Sequence, residues 1–310
     1  MRRWIGLAAA AALAFTTGVA PVVVLAAPAA TPALSAYSER SRQLGALTDE
    51  ASRASEGLST WLGFNKLPRE EMVAFLEREL PNLELARAKL QAVQAKYDAL
   101  PPFKGSPEET RIIAALQDDG RAYAVGMEEV LGAVEELLRA LIANDQSRMA
   151  AAAPKVSRVA IVLVDGQIAM ARGRQALFAR DSGGYYIMGT MGALYDGMKA
   201  SLTVSLRLAT PADAAQQMRA AARRCREYVV AGRPVVDRVL ATASPGDRAY
   251  YAFDREQLAI GGEIAAALET AADTMATATD PMDAFRATMA LFTDLETRFA
   301  DSATRQGALI

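Results

Sequence analysis

The chain has 310 residues, 52% of them hydrophobic and 23% charged, with a net charge of -2. That balance suits a folded chain with a sizeable core, and it supplies no long-range field to attract nucleic acid. Histidine is absent and cysteine occurs once, at Cys225, which excludes Ser-His-Asp and Cys-His catalysis, His-ligated haem and zinc, histidine pH switching and any intrachain disulfide.

Residues 1–30 read as an export signal. Arg2 and Arg3 precede an apolar, alanine-rich run, and small residues at Ala26, Ala27, Ala29 and Ala30 offer cleavage positions. The run is long enough to serve as an uncleaved anchor instead, although Gly18 and Pro21 weaken a spanning helix. Residues 31–36 read as a spacer and 37–310 as the helical domain.

Helical spacing then recurs along the whole chain. Leu44, Leu47, Ala51, Ala54, Leu58 and Trp61 form a first seam, with Trp61 and Phe64 anchoring the loop behind it. Pro68 opens a second helix with Glu70 and Glu71 in its first turn, and Pro81 is expected to break or kink it. Leu83, Ala86, Leu90, Val93, Tyr97 and Leu100 continue to Pro101-Pro102. Ser106, Pro107 and Glu109 spell a capping box that opens the longest stripe: Ile113, Leu116, Gly120, Tyr123, Met127, Val130, Val134, Leu137 and Leu141. Their alternating intervals of three and four lay them on one face, so the stretch 113–141 needs partner helices along its length.

Asn144 to Pro154 reads as a connector, with partial helix through its alanines as the alternative, and the next helix is expected from about Lys155 to Arg180, with Ile161, Val164, Ile168, Ala171 and Phe178 inward. Ser182-Gly183-Gly184 stops it. In the following helix, about 185–208, Gly189, Ala193, Gly197, Ser201 and Ser205 place a small residue at every fourth position, which suits close approach of a neighbouring backbone. Thr210-Pro211-Ala212-Asp213 caps the next helix, whose stripe is Met218, Ala222, Cys225, Val229, Gly232, Val236 and Val239, with a bend expected at Pro234. Leu258, Gly261, Ala265, Leu268, Ala272 and Met275 make a further seam. Asp280-Pro281 caps the last helix, with Phe285, Met289, Phe292 and Phe299 inward and a frayed end. Tyr185-Tyr186 and Tyr250-Tyr251 each precede one of these Pro-capped helices, an echo that suits an old helix-pair duplication or chance alone.

The expected fold is therefore all-α: an elongated antiparallel bundle of about eight long helices, divisible into two four-helix halves near Ser182 to Gly184. No cofactor is implied. Arg219, Arg223 and Arg226 share a helix face and form a candidate contact for an anion or an acidic partner, against pairing of Arg223 with Glu227. Tyr185, Met188, Met191 and Tyr195 are candidates to line an apolar groove, against plain core packing. Glu128, Glu129, Glu135 and Glu136 read as surface carboxylates, because a bundle di-iron site needs Glu-x-x-His. Arg158, Asp165 and Arg172 read as a polar stripe, and Cys225 as a buried, inert thiol.

Three functions fit these features. The first is an exported, non-enzymatic binding, scaffold or envelope-associated protein whose partner is a protein or envelope component. The N-terminal segment would touch membrane only if it stays uncleaved. The second is a membrane-active bundle that inserts the stretches 156–171 and 185–208. The third, a carboxylate- and arginine-based hydrolase or lyase, requires a pocket that gathers such groups with shifted pKa values.

Overall fold

The computed structural model describes residues 34–54, 68–307 and 309. All regular structure among them is helical: α1 (Leu34–Ala54), α2 (Arg69–Asp98), α3 (Pro107–Ile142), α4 (Gln146–Leu177), α5 (Gly183–Ser205), α6 (Pro211–Thr242), α7 (Arg248–Thr277) and α8 (Pro281–Gly307). The 36 residues of α3 make a rod of about 54 Å. Each helix from α2 onward packs on the one before it, and α1 closes on both α2 and α3. α5 packs on α4, α6, α7 and α8. The result is the expected all-α antiparallel bundle, with α1–α3 at one side, α5–α8 at the other and α4 between α3 and α5.

Local chemistry explains where these rods begin. At α3 the Ser106 hydroxyl accepts from the Glu109 backbone N–H at 3.3 Å, and the Glu109 carboxylate accepts from the Ser106 N–H at 2.7 Å. Thr210 and Asp213 repeat this reciprocal cap on α6, so two otherwise orphaned N–H groups are satisfied at each start. All nine residues of the 113–141 stripe are buried. Within that stripe Gly120 has a specific task. A Cβ there would lie 2.2 Å from the Tyr97 hydroxyl, which sits between α1 and α3 in a 2.9 Å hydrogen bond with Thr48.

α5 is the most enclosed rod. From Ile187 to Ser205 only Asp196, Lys199 and Thr203 are not buried. A helix covered from several directions needs small side chains where its neighbours come nearest, and the contacts fall there. Side chains of α6 and α7 fill the places where Cβ atoms would stand: Tyr228 reaches within 2.7 Å of that point at Gly189, and Leu268 within 2.2 Å at Gly197. The relation is mutual. Gly232 of α6 receives Tyr186, and Gly261 of α7 receives Thr190.

Four expectations need correction. Pro81, Pro154 and Pro234 do not end or divide their helices, which run through all three. Each proline lies on the exposed face, where water can satisfy the carbonyl that loses its N–H partner. Consequently α4 starts at Gln146, capped by the Asp145 side chain accepting from the Arg148 N–H at 3.0 Å, and most of the connector is helix. Gly183 and Gly184 do not follow α4. They form the first turn of α5, because Asp254 Oδ2 and the Phe178 ring lie 2.9 and 2.5 Å from where their Cβ atoms would be. α1 begins at Leu34, inside the stretch read as spacer, and α8 ends with Gln306 buried and hydrogen-bonded rather than frayed. Residues 1–30, Leu58, Trp61 and Phe64 lie outside the described residues.

Glycine substitutions should separate packing from helix propensity. Gly166 and Gly173 of α4 have open space where a Cβ would stand, so Gly166→Ala and Gly173→Ala are each expected to stabilise by about 0.5–1 kcal/mol. Gly232→Ala must displace Tyr186 at its Cβ and is expected to destabilise by roughly 1–3 kcal/mol. Urea denaturation of the three variants checks both signs.

Candidate functional site

α4 turns two polar residues inward, Gln167 and Arg174, 1% and 5% exposed. The Arg174 guanidinium donates through Nε to Asp119 Oδ2 of α3 at 2.8 Å. Burial holds the Asp119 carboxyl above its ordinary range even beside this cation. Next to the pair, Gln167, Met170, Ala171, Arg174, Met188, Met191 and Tyr195 surround a cleft of about 10 Å³ between α4 and α5. That is room for about one water molecule.

Tyr195 joins this cleft to a second polar group deeper in the core. Its hydroxyl donates to Glu296 Oε1 of α8 at 3.2 Å. Glu296 is 2% exposed and its Oε2 has no hydrogen-bond partner. Tyr123 of α3, fully buried with Ser52 of α1 beside it, feels the same carboxyl. Burial drives Glu296 well above the ordinary carboxylate range, favouring its neutral form, and it drives both tyrosines upward as well. The four helices α3, α4, α5 and α8 thus meet around one arginine, two carboxyls and two phenols.

A further carboxyl lies in α7. Asp254 accepts from Gln306 Nε2 of α8 at 2.6 Å, and Gln306 Oε1 in turn accepts from Gln257 Nε2 at 2.9 Å. Burial lifts Asp254 to about 6, and no cation among the described residues opposes it.

The residues singled out by sequence fall into separate places. Met188, Met191 and Tyr195 do line one cleft. Tyr185 is not with them: it makes edge contacts with Tyr186 and Tyr228 at 5.2 and 6.3 Å, under the Arg180 guanidinium. Of the three arginines on α6, Arg219 pairs with Asp273 at 2.8 Å and Arg226 pairs with Glu269, both on α7. Arg223 is exposed and forms no ion pair among the described residues. Its expected partner Glu227 does not meet it. The three are therefore not one cradle.

Three of the four carboxylates singled out on α3 are engaged by cations. Arg87 donates to Glu128 and Glu135 at 2.5 and 2.6 Å, and Lys155 donates to Glu136 at 2.6 Å. Asp165 pairs with Lys199 at 2.6 Å. Cys225 is buried, with its thiol 3.2 Å from the Gly261 carbonyl, and burial pushes it up to about 12, where the thiolate is scarce.

The same register exposes a groove that sequence reading did not find. Antiparallel pairing sets Arg219 against Asp273, Arg226 against Glu269 and Asp237 against Arg255. Arg233, seven residues after Arg226, instead meets Ala259 across a groove of about 210 Å³ lined also by Val236, Asp237, Arg255 and Leu258. No described helix is long and apolar enough to cross a membrane. No protein-family model matches the chain, and no match is found among curated proteins or solved structures.

Removing one partner of a buried pair leaves the other charge without compensation. Arg174→Met should therefore cost about 3 kcal/mol in guanidinium denaturation, and adding Asp119→Asn should recover a large part of it. A native Cys225 thiol should resist aromatic disulfide reagents at pH 8 and react only at the rate of unfolding. Rapid labelling of the folded protein would overturn the buried assignment.

Proposed function

We propose that this chain is an exported, non-enzymatic helical-bundle protein that acts as a scaffold or binding partner at the cell envelope, meeting acidic groups of its partner through the α6–α7 face. The export element rests on the Arg2-Arg3 start and the apolar run after it. The observation that carries the binding element is the gap in the α6–α7 ion-pair ladder. Neighbouring rungs are closed by acids, whereas Arg233 lines a groove with Asp237 and Arg255, which pair with each other, and forms no ion pair among the described residues. Arg223 lies on the same helix and is also available. Arginine suits this role because its planar fork recognises carboxylate or phosphate in two-point contact.

The gathered interior groups favour a binding protein over an enzyme. The cleft beside Arg174 and Tyr195 holds about one water, so a substrate has no place against those side chains in this conformation.

Three measurements test the proposal. N-terminal sequencing of the extracytoplasmic form should begin within residues 24–31. Co-sedimentation of the purified mature protein with isolated envelope should weaken with salt. The double variant Arg223→Glu/Arg233→Glu should bind about fivefold more weakly, roughly 1 kcal/mol. Unchanged binding would remove the arginine face from the account, and turnover of a substrate by the purified protein would remove the non-enzymatic reading.

A further inference from the structure

The two carboxyls buried without a cation both lie under one helix. Glu296 stands on the inner face of α8, against Tyr195 of α5 and within the field of Tyr123 of α3. Asp254 stands on α7, and its hydrogen bond comes from Gln306 of α8. Seating α8 thus covers both. The same inner face carries Thr288 and Ser302, whose hydroxyls are buried without hydrogen-bond partners, as is Ser201 of α5. Each such group is satisfied by water once α8 lifts. Phe285, Phe292 and Phe299 oppose lifting by keeping their rings out of water. α8 therefore has both an apolar reason to stay and a polar reason to leave.

We propose that α8 is a proton-held clamp, seated on α5 and α7 while Glu296 and Asp254 are uncharged, and lifting from them as those carboxyls lose their protons. The neighbours of the two acids support this direction. Around Glu296 the titratable groups are Tyr195 and Tyr123, which stay neutral, while Arg174 of α4 is committed to Asp119. Around Asp254 stand Gln306, Gln257 and Tyr251, with Gly183 in the first turn of α5 against its carboxyl and Val236 of α6 beside that glycine. The cations of α8 that face α7 are engaged elsewhere, Arg298 with Glu263 at 2.7 Å and Arg305 with Glu256, all at the surface. Among the described residues no arginine or lysine acts on either carboxyl. Lifting takes the Phe292 ring away from Gly197 of α5, while Leu268 of α7 stays against that glycine.

The sign follows from linkage. Both acids hold protons more tightly with α8 seated than with it lifted. Seating is therefore fully supported below the ordinary carboxylate range and weakens as pH rises through the seated values. For Asp254 that loss is complete near pH 6. For Glu296 it continues above. While one acid is coupled, the lifted fraction rises tenfold per pH unit.

Amide hydrogen exchange of the full chain between pH 6 and 8 tests the clamp. Intrinsic exchange rises tenfold per pH unit. The slowest amides of α8 should therefore rise about a hundredfold per unit, and should exchange ahead of the slowest amides of α3. Glu296→Gln, which keeps the shape and the neutral form, should return α8 to a tenfold rise per unit. Asp254→Asn should leave the steep rise in that range, since its own titration is nearly finished there. A tenfold rise for α8 in the wild-type chain would overturn the proposal. So would α8 amides that exchange only together with those of α3, because α8 would then not move separately.

Discussion

Along most of its length α5 has no face left for water, so one backbone must accept neighbours from several directions at once. Only residues with little or no side chain permit that, and Gly189, Gly197 and the facing Gly232 and Gly261 occur where Tyr228, Leu268, Tyr186 and Thr190 press closest. These contacts set the distances among α4, α6, α7 and α8. An interior packed this closely transmits small volume changes, because no free space absorbs them. The long stripe of α3 then closes the opposite side, through α1, α2 and α4. The bundle has two organising rods: α3 is amphipathic and faces its partners with one edge, whereas α5 is enclosed.

Close packing also determines how the interior polar groups behave. A carboxyl such as Glu296, placed where water cannot follow, holds its proton more tightly. Asp119 is raised by burial too, but there Arg174 reaches it from α4 and opposes the shift. Burial sets the direction at both, and the partner offered by the adjoining helix decides what works against it. The surface uses the opposite strategy. Arg87 joins Glu128 and Glu135, and the α6–α7 ladder joins Arg219 and Arg226 to acids on α7. Individually such exposed pairs contribute little to stability. Their use is to fix which residues of neighbouring rods stand opposite each other, and the groove at Arg233 is legible only against that register.

Most of the architecture was readable from spacing. The stripes of α2, α3, α6, α7 and α8 are buried almost residue for residue, and the caps at Ser106 and Thr210 form as their side chains require. Proline was given too much weight. A rod held by long tertiary contacts stays helical through an exposed proline, and local propensity says little about that contest. The interior acids were missed for a different reason. Stripe reading collected apolar residues and passed over polar ones in the same register. Asp254 stands one interval before Leu258, and Glu296 stands between Phe292 and Phe299 in the same alternation of three and four. Arg174 follows Ala171 by three. Each was therefore visible as a charged residue on a seam. Which helix would face it, and whether a cation would come with that helix, depended on pairing across the bundle and had no local signal.

The two populations of carboxyls oppose one another in their response to pH. Asp98, Glu109, Glu135, Asp213 and Glu263 accept hydrogen bonds that hold them below their ordinary values, so their contribution is present above that range and is lost as the medium becomes strongly acidic. Asp254 and Glu296 lie above their ordinary values, and their contribution is lost in the other direction, as the medium becomes neutral and then alkaline. The first group is spread over the caps and the surface pairs of both sides of the bundle, so its loss loosens the whole assembly. Asp254 and Glu296 belong to the contacts of α8, so their loss acts on one helix, whereas Asp119, also raised by burial, is held by Arg174 between α3 and α4. Acid and alkali therefore attack different parts of the fold. A mildly acidic medium, near the ordinary carboxylate range, leaves the surface acids charged and the interior ones neutral, and there the two demands are best met together.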